Sequence, residues 1–440
     1  MSIAHCPELP LDILLEIVAF VDGSALPACA LVSRGLRVPS QRLLWRDIQF
    51  VPLSRAAEDM LPVAHKFGTY THSLYVRAEP QKRTDRTPIF ILEEAGDSQA
   101  AALIGMLPNL RCLLIQPNMM RSLQPCLAEA VARALPSLHT LGVWLSINLP
   151  PWNLLDHAPR LRDLRLSIWP FDIAAFTNIQ TSGRTPRVKL SSLALKVAHR
   201  SSFPDGLMLE HYLFPELPLD LTCLRRLRLS DAADFTKEPL ERLFEGCQKT
   251  LRHFDTTWLP QDPPPSLGLL VNLENLVIRD IPPVHQLSQY VLPLTSSAVS
   301  LKRLSLSFAK FGVMRDTYAG LHRLAYELAR RCREREHVVF GNLTLYFRPE
   351  GHIKRLDAYK CRVGKRLYEC MAPLKEVGIE VEVKWLDCIG ASETTRNLRR
   401  SLFIPIRRLV RRLSARSRRR GSLCSLLGRE QVHGARGRGI

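Results

Sequence analysis

The sequence predicts a mixed α/β protein: an N-terminal three-helix module, an irregular leucine-rich-repeat-like solenoid, and a basic tail that is disordered or partly helical. Three observations predict this. Apolar residues crowd positions 8–48, the pattern L-x-x-L-x-L recurs through the middle of the chain, and arginines concentrate at its end. We place the helical module at 1–52, the solenoid with its capping elements at 53–388, and the tail at 389–440.

The first predicted helix has more apolar surface than a small core needs. Pro10 and Asp12 favour a helix start, because proline lacks the amide hydrogen that the first turn cannot bond and an acid suits the positive end of the helix dipole. One face is apolar, and apolar residues flank it on both sides, so the apolar arc is wider than one core stripe. The face holds Leu14, Ile17, Val18 and Val21, and the flanking residues are Ile13, Leu15 and Phe20.

Two further helical segments follow. Asp22-Gly23-Ser24 predicts a turn, Leu26 to Ser33 a short second helix, and Pro39-Ser40 the opening of a third segment that carries Leu43, Leu44, Trp45 and Ile48. A domain of under about 50 residues seldom folds without a disulfide, a metal or a partner. The segment is therefore either the first part of a larger core or a module that docks on another protein.

The order and spacing of these residues resemble an F-box domain. The resemblance rests on Leu9-Pro10, Leu14, Ile17, Leu26, Leu31-Val32-Ser33-Arg34 and Leu44-Trp45. The chain departs from the family at Leu36, where an aromatic residue is frequent, and at Leu11, where an acid often follows Leu-Pro directly. F-box domains dock onto the Skp-type adaptor of SCF (cullin–RING) ubiquitin ligases. The resemblance implies adaptor binding by Leu9, Pro10, Ile13, Leu14, Ile17, Leu26, Leu31, Val32, Ser33, Leu44 and Trp45.

An internal repeat organises the middle of the chain. Seven copies of the pattern begin at Leu110, Leu138, Leu161, Leu190, Leu224, Leu273 and Leu301, and weaker copies begin at Leu251 and Phe340. The steps between copies are 28, 23, 29, 34, 27, 22, 28 and 39 residues. Leucine-rich repeats run about 20–29 residues, so most steps fit and two are long. Leucine repeats also occur in ordinary α/β domains, which is the alternative architecture.

The spacers between the repeats predict what covers the strands. Residues 122–135, 237–248 and 317–333 have helical spacing, whereas the proline-rich 262–268 does not. The two long steps predict inserted loops around 199–220 and 312–338. A solenoid needs caps at its ends, and the N-terminal module and residues 352–387, a helix followed by a strand, could supply them.

The same pattern predicts a binding face. Residues beside the second leucine of each repeat point away from the core. This outward row has a basic bias at Arg165, Arg226, Arg228 and Arg303, which we predict to bind a substrate with acidic character. The alternative is a solvated face without a partner.

The C-terminal tail carries most of the charge. Residues 396–440 hold fourteen arginines, no lysine and one acid, for a net +13 of the chain's +19. An apolar stripe runs through it at Leu398, Leu402, Ile406, Leu409 and Leu413, although Pro405 would strain a helix there. Such a tail can serve nuclear import, an anionic membrane or nucleic acid, or it can be solvated, disordered chain or mis-spliced sequence.

Composition and motifs exclude other classes. No apolar run is long enough for a transmembrane helix, and the N-terminus does not resemble a signal peptide. Eleven scattered cysteines without a CxxC pair indicate reduced thiols of a cytoplasmic or nuclear protein, neither secreted nor transmembrane. Phosphate-loop, nucleophile-elbow, HExxH and EF-hand motifs are absent, so we predict no catalytic residues, no metal ligands and no cofactor.

Two functions from different classes follow. The chain resembles fungal-type F-box substrate receptors, which implies a non-catalytic subunit of an SCF-type ligase that binds a Skp-type adaptor and, through its repeats, an unknown protein substrate. Ubiquitin transfer would then belong to other subunits. The second function is a leucine-rich-repeat scaffold outside any ligase, held at the nucleus or an anionic membrane by its basic tail, with nucleic acid as a further contact.

Overall fold

The computed structural model shows a long parallel sheet that is covered by helices on one face. It describes residues 10–32, 34–77, 94–116, 125–146, 155, 157–169, 188–197, 219–230, 237–257, 267–281, 287–297, 300–311, 314–334, 341–349 and 356–385. The predicted tail at 389–440 and the predicted insertion at 199–218 lie outside these residues. No helix of the described residues is long and apolar enough to cross a membrane.

Twelve strands form the sheet in chain order, and every neighbouring pair is parallel. Two further strands, β6 and β8, form a separate parallel pair of two residues each. The strands are β1 (Asp47–Phe50), β2 (Ser73–Arg77), β3 (Cys112–Gln116), β4 (Thr140–Ser146), β5 (Asp163–Trp169), β6 (Val188–Lys189), β7 (Ser192–Val197), β8 (Leu219–Asp220), β9 (Arg226–Ser230), β10 (His253–Thr257), β11 (Asn275–Ile281), β12 (Arg303–Phe311), β13 (Asn342–Pro349) and β14 (Glu380–Trp385).

Eleven α-helices lie within the described residues, three of them before the first strand. They are α1 (Leu11–Ala19), α2 (Leu26–Val32), α3 (Arg34–Arg46), α4 (Arg55–Phe67), α5 (Glu94–Gly105), α6 (Pro125–Ala134), α7 (Lys237–Cys247), α8 (Leu287–Ser297), α9 (Met314–Arg333), α10 (Leu356–Cys370) and α11 (Ala372–Glu376). The mixed α/β architecture, with N-terminal helices followed by a repeat region rich in strands, is therefore as the sequence predicts.

The leucines of the repeat build one continuous core. In the repeats that begin from Leu110 to Leu301, the first leucine and the two inward residues of the strand are buried, as Leu110, Leu113 and Ile115 show with at most 1% exposure. Helices complete this core, and the four apolar residues of one stripe on α9 are fully buried in it: Leu321, Leu324, Ala325 and Leu328. The core runs without a break from Val18 on α1 to Val381 on β14.

A polar residue directly before the first leucine ties each of several repeats to the one before it. Asn109 and Asn272 donate side-chain amide hydrogens, each over 2.7 Å, to backbone carbonyls of the preceding repeat. The hydroxyls of Ser137 and Ser300 donate in the same way, at 2.8 and 2.6 Å. This explains the recurring phrases LPNL, LPSL, LVNL and AVSL. The amides at the strand starts are also paired: in most repeats the amide of the residue before the strand and the amide of its first residue share one carbonyl of the previous repeat.

The structure corrects three details of the sequence analysis. The third helix begins at Arg34 rather than at Pro39, because Pro39 lies in its second turn, is buried, and withholds only one backbone hydrogen bond. The long step at 312–338 is not an inserted loop, since α9 fills most of it. The repeats also begin earlier than predicted, because β1 and β2 add two strands before β3.

Candidate docking surfaces

Large apolar side chains are exposed mainly at the N-terminus. Of nine such residues among the described parts of the chain, five lie between positions 13 and 38. We call these five the N-terminal apolar surface: Ile13 (39% exposed), Ile17 (46%), Phe20 (92%), Leu31 (56%) and Val38 (38%). A row of exposed apolar side chains on a short helical module is typical of a protein interface.

The first helices are held so that one side of each is buried and the other is free. Val18 and Leu26 face the core at 1% and 6% exposure, whereas Ile17, the neighbour of Val18, and Leu31, five residues after Leu26, are exposed. The turn between α1 and α2 is closed by the amide of Ala25, which donates to the carbonyl of Asp22 over 2.8 Å, and by the Ser24 hydroxyl on the Asp22 carboxylate. Phe20 lies at the end of α1, just before this turn, where it has little to pack against.

The predicted adaptor-binding residues separate into two groups. Pro10, Ile13, Ile17 and Leu31 are exposed and Leu14 is half-buried, so these can meet a partner directly. Leu26, Leu44 and Trp45 are buried in the core, and the Trp45 ring stacks on Phe67 of α4 with the centroids 5.4 Å apart. The structure thus places all three in the core and packs Trp45 against α4. Leu9, Ser33 and the side chain of Val32 lie outside the described part of the chain.

Two exposed residues of this surface are absent from the predicted adaptor-binding residues. Phe20 flanks the predicted face of the first helix, and its position beside the Asp22-Gly23-Ser24 turn is a signal that it lies at a helix end. Val38 precedes Pro39, so the prediction that Pro39 opens the third segment placed Val38 outside that segment. Both follow from the observed bounds of α1 and α3.

The sheet has an open face, opposite the helices, that carries the predicted arginines. Arg165 on β5, Arg226 and Arg228 on β9, and Arg303 on β12 are all exposed there. Strand pairing aligns Arg226 with His253, Asn275 and, one strand further, Arg303. The predicted binding residues therefore share one face of the sheet, as the alternation of the repeat requires.

A buried acid lies among these arginines. The carboxylate of Asp255 on β10 is only 5% exposed and accepts two hydrogen bonds from Arg279 on β11, from Nε to Oδ1 and from Nη2 to Oδ2, each 2.6 Å long. Arg228 approaches the same carboxylate, with Nε 3.7 Å from Oδ2. Arg279 was not predicted, because the predicted outward row contains only the residues beside the second leucine of each repeat. It lies two residues beyond Val277, where continued alternation also points a side chain outward.

Two titratable groups on the open face have shifted pKa values. Burial raises the pKa of the Cys112 thiol above its usual value, which keeps the thiol protonated, although Arg165 opposes the shift. Burial also lowers the pKa of His253, and Arg226 and Arg279 act in the same direction against Asp255. Among the residues that the structure describes, no three His, Cys, Asp or Glu side chains form a group that could hold a metal ion.

Comparison with known proteins identifies the family of the N-terminal helices. No curated protein matches the chain. Among solved structures, the crystal structure of the Rad7 and Elc1 complex in yeast is similar at 13% sequence identity and a TM-score of 0.36, over 76% of this chain and 86% of that chain. Residues 6–38 match the family model of the F-box domain, so the helices that carry most of the N-terminal apolar surface form an F-box domain.

Proposed function

We propose that this chain is the substrate-recognition subunit of an SCF-type (cullin–RING) ubiquitin ligase. The observation that carries the proposal is the N-terminal apolar surface, which lies within the segment that matches the F-box domain. F-box domains bind Skp-type adaptors, and a face with Ile13, Ile17 and Phe20 exposed supplies the apolar anchors of such an interface. A protein substrate would bind the open face of the sheet.

The shared core connects the N-terminal helices, which would bind the adaptor, with the sheet, which would bind the substrate. Leu44, Trp45 and Ile48 bury the end of the F-box helices and β1 in the same core as β2 and β3. The adaptor-binding helices are therefore fixed to the strands that would hold the substrate. Holding a substrate near the charged ubiquitin raises its effective concentration, which is the contribution of a non-catalytic receptor. The conjugating enzyme and RING subunit would perform the transfer.

Adaptor capture tests the proposal. Immobilised full-length protein should retain a purified Skp-type adaptor, and Ile17→Asp should abolish retention because it places a charge at the centre of the apolar surface. Val271→Asp is the matched control, since Val271 is also exposed, at 51%, but lies between β10 and β11. Leu9→Ala with Pro10→Ala should also abolish capture.

Circular dichroism shows whether the variants remain folded. An exposed residue tolerates substitution, so Ile17→Asp should keep the wild-type spectrum and thermal midpoint. Wild-type protein that fails to retain the adaptor, under conditions where a known F-box protein succeeds, would remove the basis of the proposal. Equal loss of capture in Val271→Asp would show a nonspecific effect.

A further inference from the structure

The Asp255 carboxylate holds two arginines at fixed positions on the open face. Asp255 is 93% buried in its side chain, whereas the side chains of Arg228 and Arg279 are 50% and 40% exposed. Two cations share one anion, so this group has a net positive charge. Arg279 uses Nε and one Nη in its hydrogen bonds to Asp255 and leaves the other Nη available, so each guanidinium can still donate outward.

Further cations extend this group along the sheet. Arg226 lies two residues before Arg228 on the same face of β9, and Arg303 aligns with Asn275 beside His253. Arg226 and Arg303 make no ion pair with any residue in the described ranges, and both are exposed. Arg165 lies two strands from Arg228 in the same row. We call these five residues the basic patch: Arg165, Arg226, Arg228, Arg279 and Arg303.

The basic patch ends before β13. On β14 the outward residues include Glu380 and Glu382, and Lys384 is paired with Glu382 at 2.9 Å. On β13 the aligned positions are Asn342 and Thr344, which are neutral. The positive charge is therefore concentrated from β5 to β12 and does not cover the whole open face.

The dimensions of the basic patch indicate an extended ligand. Arg165 and Arg303 are separated by five strand-to-strand steps, from β5 through β7, β9, β10 and β11 to β12. Neighbouring strands lie about 4.8 Å apart, so the basic patch spans roughly 24 Å. An extended peptide advances about 3.3 Å per residue and covers this distance with about seven residues.

We propose that the basic patch binds an extended acidic peptide segment, whose carboxylates accept hydrogen bonds from Arg228 and Arg279 and from the flanking arginines. Asp255 is a positioning residue that holds the two central guanidiniums and does not touch the ligand. The proposal rests on the proposed function only in that the segment would belong to the ligase substrate. Guanidinium and carboxylate groups can pair in a planar, bidentate geometry, so peptide carboxylates suit the exposed guanidiniums of the basic patch.

A single-stranded nucleic acid fits the patch less well. The outward positions of the four central strands of the basic patch, β7, β9, β10 and β11, carry no Phe, Tyr or Trp, whereas such ligands bind through bases stacked on aromatic rings. Asp163 also lies in the aligned rows and would repel a continuous phosphate backbone. The acids of a peptide can be spaced to avoid it.

Fluorescence anisotropy with the full-length protein tests the proposal. The probe is a labelled heptapeptide of alternating Glu and Ser, its matched control has Gln for Glu, and a single-stranded oligonucleotide of equal charge is the competitor. We expect the Glu peptide to bind at least about tenfold more tightly than the Gln peptide. We also expect its affinity to fall as the salt concentration rises. The oligonucleotide should compete poorly.

Variants locate the binding. Arg226→Gln and Arg303→Gln do not remove a partner of Asp255, and each should weaken binding of the Glu peptide about three- to fivefold. Arg228→Gln and Arg279→Gln should weaken it at least as much. Arg323→Gln is the matched control, because Arg323 is exposed on α9, behind the sheet, and should leave binding unchanged.

The outcomes separate this proposal from the proposed function. Equal binding of the Glu and Gln peptides, unchanged binding in Arg226→Gln and Arg303→Gln, or tight binding of the oligonucleotide alone would overturn the acidic-peptide site. Ile17→Asp should leave peptide binding intact while abolishing adaptor capture. Loss of capture with peptide binding retained, and the reverse in the arginine variants, would support two independent surfaces.

Discussion

The indole ring of Trp45 on α3 stacks on the ring of Phe67 on α4, with centroids 5.4 Å apart and planes inclined by 16°. Phe67 in turn lies 6.4 Å from the Tyr70 ring, over which Arg42 of α3 places its guanidinium. These contacts join the F-box helices to the first helix of the repeat region. The N-terminal helices and the start of the repeat region therefore share one core.

Trp45→Ala should lower the free energy of unfolding by about 3–5 kcal/mol. Trp45 is only 5% exposed, so truncation leaves a cavity beside Phe67 at the junction between α3 and α4. Urea denaturation followed by circular dichroism measures the change. In a double-mutant cycle with Phe67→Ala, the stacked pair should show a coupling of about 0.5–1.5 kcal/mol.

Phe20→Ala is the control for this prediction. Phe20 is 92% exposed, so its truncation should change the stability of the isolated protein by less than about 0.5 kcal/mol. It should instead weaken adaptor capture. A stability loss in Phe20→Ala as large as that in Trp45→Ala would contradict the division between core and docking residues.

Gly68→Ala should destabilise the protein by about 1–3 kcal/mol through overpacking. A Cβ atom at Gly68 would lie 2.2 Å from the backbone carbonyl oxygen of Met106, which cannot move as a side chain can. Gly105→Ala, next to Met106, is the matched control, because its Cβ would meet nothing within 4 Å. Thermal unfolding should show a lower midpoint for Gly68→Ala alone, and equal midpoints would refute the close approach.

Two glycines near the C-terminal cap should respond to alanine with opposite signs. Gly378 has φ +83° and ends α11, where Ile379 donates to the carbonyl of Leu374, so alanine should cost about 1 kcal/mol there. Gly364 lies inside α10 with open space around it, so alanine should stabilise by roughly 0.5–1 kcal/mol. Chemical denaturation of both variants, compared with wild type, tests the pair of signs.

The repeat strands could be predicted because their signal is local and periodic. Each L-x-x-L-x-L phrase specifies which side chains face the core, and the structure buries those residues even in the weaker copy at Leu251 and Phe254. The strands β1 and β2 were not predicted, because neither is preceded by the leucine with which the repeat pattern begins, three residues before the first inward residue. Their place in the sheet depends on pairing with β3, which a single sequence does not reveal.

The candidate sites were harder to predict than the fold. Periodicity placed Leu14, Ile17 and Val18 on one face of a helix, but which part of that face packs depends on where α3 and the first repeats lie. The pairing of Asp255 with Arg279 joins residues 24 apart in sequence and follows only from the register of β10 and β11. Residue type and spacing thus predict that a face exists, and tertiary contacts decide how its charges are arranged.

The protein should lose stability as the pH falls below about 6.5, in part through His253. Burial lowers the folded-state pKa of His253 below its usual value of 6.5, and Arg226 and Arg279 reinforce the shift against the opposing Asp255. As the pH falls through 6.5, the unfolded chain therefore takes up the proton first, and proton binding favours unfolding. The loss stops once the pH is below the folded-state pKa. His253→Gln cannot be protonated, so its thermal midpoint should fall less than that of wild type between pH 7.5 and pH 5.5. Equal falls in the two proteins would show that the surroundings of His253 do not penalise its charged form.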